Sequence, residues 1–201
     1  MPVTDTLKPA LILYATREGQ ARRVADYLAT NLVDRGRTAE VVDAALLPIG
    51  FRLTNYSLAI LVASVHGGHH ESEMRQFVRQ HSRELAEMPA AFLSISLSEA
   101  GAEDPHASPE ARERAAADVD RMIQSFLDET GWHPESVQPV AGALRYSKYN
   151  FVLRFIMKRI AAKAGASTDT SQDYEFTDWA ALNVFLDDFL TQTAPHTATA
   201  G

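Results

Sequence analysis

Two stretches of this 201-residue chain carry residue types whose order and spacing could do chemistry, and the first is Thr16-Arg17-Glu18-Gly19-Gln20. It follows the short apolar run Ala10 to Tyr14. It precedes Val24, Leu28 and Leu32, which recur every four residues. The stretch therefore sits where a strand enters a helix. The first N–H groups of a helix lack intrahelical partners and lie at the positive end of its dipole, so together they can hold a phosphate. Gly19 lets the backbone turn tightly, and Thr16 offers a hydroxyl donor. Arg17 lies inside the turn, and Ala21 follows Gln20. A carboxylate aimed at a phosphate would repel it, so the Glu18 side chain is expected to point away and leave the backbone amides as donors.

The second chemical feature lies in loops that later strands would bring beside this turn. Ser64-Val65-His66-Gly67-Gly68-His69-His70 ends a strongly apolar run, and its paired glycines would let a flat ring approach the backbone closely, with histidines lining it. Leu97 and Ser98 end another. A zinc site at His66, His69 and His70 is the competing reading, but the spacing matches no common site and the chain has no cysteine. No metal is expected. The absence of cysteine also removes disulfides, iron–sulfur ligation and a thiol nucleophile, so redox chemistry must come from a cofactor. There is no G-x-S-x-G elbow for a hydrolase and no P-loop lysine. No catalytic acid or base stands out.

Strands and helices alternate in the order needed to position these loops. Strands are expected at Ala10 to Tyr14, Ala39 to Asp43, Leu58 to Ala63, Ala91 to Ser96 and Val137 to Ala143. Helices are expected from Gln20 to about Arg35, from Ser72 to Leu85, from Pro109 to about Glu129, and from Thr177, as N-cap, to Thr191. The connection through Pro48 and Gly50 reads as a linker, and Glu99 to Ser108 as a loop. Apolar strands alternating with helices predict an α/β fold with one parallel sheet covered on both faces. In such sheets ligands bind beyond the carboxyl ends of the strands, where strand order reverses. Residues 1–9 read as an N-terminal extension, 10–193 as one domain, and 194–201 as a disordered tail.

The charge of −7 argues against nucleic-acid binding, which depends on neutralising phosphates. Between Ser136 and Ser167, however, there are six basic residues and no acidic one. Arg145, Lys148, Arg154, Lys158, Arg159 and Lys163 are interleaved there with Phe151, Val152, Phe155 and Ile156. Basic charge mixed with apolar groups is the composition of a helix lying on an anionic membrane surface. A core-packed helix with a solvated basic face is the alternative. The N-terminus lacks a signal-peptide pattern, which leads to a cytoplasmic expectation, peripheral to the inner face of the cell membrane.

Taken together, these residues resemble the flavodoxin-like, quinone-dependent protoporphyrinogen IX dehydrogenases of bacterial haem biosynthesis. The resemblance rests on Thr16 to Gln20, Ala63-Ser64 with Gly68-His69, Met88 to Phe92, Ala141 to Tyr146, Ile156-Met157-Lys158, Thr168-Asp169-Thr170 and Thr177-Asp178-Trp179. It implies a three-layer flavodoxin-like sandwich with five parallel strands in the order 2-1-3-4-5. It implies noncovalent FMN, with its phosphate at Thr16 to Gln20 and its ring between Ser64 to His69 and Leu97 to Ser98. It implies oxidation of protoporphyrinogen IX, with menaquinone or another membrane quinone as acceptor. The basic apolar insertion at about 145–167 would then bring the site to the membrane, with Arg145, Lys148, Phe151, Arg154, Phe155, Lys158 and Arg159 touching substrate or lipid. Small flavodoxins usually carry hydroxyl residues where this chain has Glu18 and Ala21, and larger or more basic residues are expected at His66 and Gly67. Two other readings stay open: a soluble electron carrier between proteins, and a flavin-free interaction protein. The sequence does not give the oligomeric state.

Overall fold

The computed structural model describes residues 8–144 and 174–193. Strand β1, Ala10–Ala15, is buried along its whole length, because a run of ALILYA without alternation needs cover on both faces. It pairs in parallel with β2, Ala39–Asp43, on one side and with β3, Leu58–His66, on the other. Beyond β3 lie β5, Ala90–Ser96, and β6, Ser136–Ala141, also parallel. The sheet order is β2-β1-β3-β5-β6, which is the expected five-strand order once a short extra strand, β4, His69–His70, is set aside.

The two faces of the sheet bury alternate residues of the same strands. Ala10, Ile12 and Tyr14 pack with Val24, Leu28 and Leu32 of helix α1, Gln20–Asp34. Leu186 and Phe189 of the last helix, Trp179–Gln192, join this core. Leu11, Leu13 and Ala15 face the other core, with Phe77 and Val78 of α2, Ser72–Ala86, and Phe126 of the helix Pro109–Thr130. Each fully buried Leu or Phe contributes about 2 kcal/mol relative to exposure. The two helical layers hold the strand ends, and the loops on them, at fixed spacing.

Three expectations need correction. Residues 97–103 are not loop: Ser96 caps a short helix, α3, Leu97–Glu103, by accepting from the Glu99 N–H at 3.1 Å. The helix Pro109–Thr130 is therefore α4, and the last helix α5. The crossover from β2 to β3 carries only a 3-10 turn, Leu53–Asn55, as the linker expected through Pro48 and Gly50 implies. The fifth strand stops at Ala141. After Gly142 the chain forms β7, Ala143–Leu144, paired antiparallel with β8, Tyr174–Glu175. Finally, Thr177 does not cap α5. Asp178 does, accepting from the N–H groups of Ala180 and Ala181, because the Thr177 hydroxyl is drawn into a tertiary bond with the Ala141 carbonyl at 2.7 Å.

Candidate functional site

The carboxyl ends of β1, β3 and β5 open on one cleft, with β7 closing its far side. Its walls are Glu18, Gln20, Ser64, Val65, His66, Ile95, Ser96, Leu97, Gly142 and Ala143. The turn from β1 into α1 forms one edge, held by a small polar network. The Thr16 Oγ1 accepts from the Gly19 N–H at 3.0 Å and from the Ser64 hydroxyl at 3.2 Å. Gly19 is the N-cap of α1 with φ 93°, a left-handed conformation that favours glycine. It has no side chain to cap the helix, and no acidic residue stands in the first turn. The α1 end thus has no capping side chain in its own first turn.

Two neighbours brace the turn. The Arg17 Nε donates to the buried Glu71 at 2.9 Å, tying the turn to the start of α2. Burial pushes the Glu71 carboxyl up, with Arg17 opposing that shift. The second brace reaches across the molecule. The Gln20 Nε2 donates to Glu175 at 2.9 Å and to Thr177 at 2.8 Å, and Arg23 donates to Glu175 at 2.7 Å. Both amide hydrogens of Gln20 are committed, so its side chain is a strut between α1 and the segment from Glu175 to Thr177.

The loop after β3 is more ordered than a flexible tip. Gly67 and Gly68, with φ 60° and 85°, form a two-residue hairpin turn that returns β4 along β3, pairing His66 with His69 and Val65 with His70. This divides the histidines. His66 lines the cleft, its Nδ1 lying 3.4 Å from Glu18. Glu18 therefore faces the cleft against His66 rather than pointing away. His69 and the two glycines are exposed at the tip. His70 is buried, 2.8 Å from the Ser94 hydroxyl and edge-on to Phe92 and Phe126, and burial lowers its pKa to about 3. It is a neutral core residue. Among the described residues no group of three ligands could hold a metal.

Leu97 reaches the cleft, while Ser98 turns into α3 and does not line it. The Ala21 side chain is fully buried in the core beneath α1. Sequence reasoning did not assign Ile95, Ser96, Gly142 and Ala143 to the wall. Gly142 has a clear reason to be glycine: a Cβ there would stand 3.3 Å from the Ser96 backbone. Arg145, Lys148, Phe151, Arg154, Phe155, Lys158 and Arg159 lie outside the described residues.

The residues fit a phosphate-bearing flat cofactor. A glycine-started helix without a capping side chain, a hydroxyl in the turn, and two strand-end loops flanking an open slot are what such a group requires, and the Glu18 carboxylate on that slot is turned to His66. The family model of the flavodoxin domain matches residues 11–171. Protoporphyrinogen IX dehydrogenase [quinone] of Escherichia coli K12 is 34% identical over 169 residues, covering 84% of this chain and 87% of that one. The protein of the same name from Leishmania major is 32% identical over 182 residues, covering 89% and 73%. A short-chain flavodoxin associated with a PDU bacterial microcompartment superposes with a TM-score of 0.51 at 12% identity, covering 94% of this chain and 100% of that chain. A flavo di-iron protein from Thermotoga maritima reaches 0.52 at 12%, covering 92% and 36%.

Proposed function

The chain belongs to the quinone-dependent protoporphyrinogen IX dehydrogenases, a flavodoxin-domain family of oxidoreductases, and from that premise we propose that it binds FMN in the cleft and oxidises protoporphyrinogen IX at the expense of a membrane quinone. The observation that carries the reading is the open N-terminus of α1, set beside the ends of β3 and β5. The Thr16 hydroxyl and the first-turn amides of α1 hold the phosphate. The Val65-His66 and Leu97 loops flank the ring. Gly142 keeps the far wall close to Ser96. The flavin supplies two-electron transfer from porphyrinogen to quinone, and the protein supplies position and field.

Further details belong to the same proposal. Menaquinone is the acceptor. The basic apolar insertion at about 145–167 of the domain 10–193 meets an anionic membrane surface on the cytoplasmic side. Among the described residues no helix is long and apolar enough to cross a membrane. The test is anaerobic: FMN-loaded protein is mixed with protoporphyrinogen IX and a menaquinone analogue. Protoporphyrin fluorescence should rise well above the protein-free rate, and a rate equal to background would reject the enzymatic reading.

A further inference from the structure

Oxidation of a porphyrinogen releases protons that a group in the cleft must take. Each two-electron step breaks a C–H bond at a bridging carbon, and the hydrogen leaves with the electron pair, as hydride, to the flavin. A neighbouring pyrrole N–H bond also breaks: its electron pair stays in the ring system, which gains one double bond, and its proton passes to a base. Hydride and proton together account for the two hydrogens removed. When the quinone takes the hydride, one proton from solvent completes the quinol.

Among the described residues of the cleft wall, few can act as that base. Gln20, Ser64, Ser96 and the apolar and glycine positions do not take a proton near neutral pH. Glu18 and His66 do, and they face each other, with the His66 Nδ1 3.4 Å from the Glu18 carboxylate. A carboxylate beside one ring nitrogen draws the imidazole proton to that side and leaves Nε2 as the basic atom. Both residues are held in place. Thr16 accepts from the Gly19 N–H across the turn that carries Glu18, and the Ser64 hydroxyl ties this turn to β3 just before His66. His66 in turn pairs with His69 in the hairpin. Its side chain is 36% exposed against 20% for Glu18, so the ring is the member of the pair that a ligand reaches more readily.

Charges on the neighbouring elements have partners of their own. Glu71 of the α2 start feels Glu18 electrostatically but is bonded to Arg17. His69, across the hairpin, is exposed. Glu99 of α3 couples to Glu103 and Asp120. A proton taken up by His66 therefore forms an ion pair with Glu18.

We propose that His66, oriented by Glu18, is the proton acceptor in porphyrinogen oxidation. This role rests on the enzymatic reading of the cleft. The two residues are far apart in sequence and meet only through the turn and the hairpin.

Full-length protein, kept loaded by excess FMN, is followed anaerobically by bleaching of the flavin at saturating protoporphyrinogen IX. His66→Gln keeps a polar side chain but no base. Its melting temperature should match wild type, and its limiting rate should be lower by about a hundredfold. The wild-type rate should fall towards acid as the imidazole fills with a proton, and that limb should be absent from His66→Gln. Glu18→Gln keeps the shape, removes the charge and should slow the step by about tenfold. A second measurement needs no turnover: in oxidised, FMN-loaded protein without substrate, nitrogen NMR of the neutral His66 ring should find the proton on Nδ1. A proton on Nε2 would overturn the role, as would a His66→Gln rate within about threefold of wild type. If wild type shows no bleaching, the enzymatic reading fails and the proton role with it. Bleaching undiminished in His66→Gln rejects the proton role alone.

Discussion

The N-termini of α1 and α5 stand side by side, joined through Gln20 and Thr177, and they treat their unpaired amides in opposite ways. At α5 the Asp178 carboxylate accepts from Ala180 and Ala181 at 2.9 and 3.0 Å. That end is satisfied by the chain itself. At α1 the N-cap is Gly19, which brings no side chain, and the first turn holds no acid. The two helix starts thus differ in whether the first turn has a capping carboxylate of its own, and the one without it is the terminus proposed to take the phosphate.

The sharpest way to break the contrast is to make α1 resemble α5. Gly19→Asp would place a carboxylate on the α1 amides in a left-handed position that Asp tolerates better than most residues. FMN affinity, followed by quenching of flavin fluorescence, should fall by about tenfold or more as two negative groups compete for one field. A loss under about threefold would place the phosphate elsewhere.

The reverse change tests the other terminus. Asp178→Ala removes the α5 cap and should cost about 1 kcal/mol, seen as a melting temperature lower by about 2–4 °C. Flavin affinity should stay unchanged. If affinity drops as it does for Gly19→Asp, the two termini are not separable and the contrast fails.

A third terminus grades the comparison. At α3, Ser96 provides the cap and Glu99 stands in the first turn. Burial, helped by Glu103 and Asp120, raises the Glu99 carboxyl from its ordinary 4.5 to about 7. Between those values the folded protein keeps a proton that the unfolded chain releases, so this group makes stability fall as pH rises through that window. His70, held neutral, works with the opposite sign as pH falls below its ordinary 6.5. Glu99→Gln should leave low-pH stability unchanged and raise the melting temperature above pH 7 by about 2 °C, an effect on the order of 1 kcal/mol or less after solvent screening. Thermal melts of both proteins at about pH 5 and about pH 8 would check the sign. Equal slopes would show that Glu99 ionises normally.

Much of the fold was legible because its signals are local. The ALILYA and LAILVA runs need burial on both faces, and Ser108-Pro109 and Gly131 bracket α4. Helix α3 was missed although Ser96 and Glu99 carry capping-box spacing, since the stretch is polar and contains Gly101. The Gly67-Gly68 pair, read as allowing close approach of a flat ring, also has the residues of a two-residue hairpin turn. The turn from Thr16 to Gln20 was readable as a helix entry. The destination of the Gln20 amide was not, because Glu175 and Thr177 lie more than 150 residues away. Thr177 shows the same limit. Next to Asp178 it reads as an equally good cap, and only the Ala141 carbonyl decides between them.

The bonds of Gln20 also set an order of events as the chain is made. Residues 10–34 can form their strand and helix early, yet the acceptors at Glu175 and Thr177 emerge about 155 residues later. Contacts of such long sequence separation form late, since loop closure must precede them. A chain that has not yet reached Glu175 and Thr177 would hold the turn without its strut.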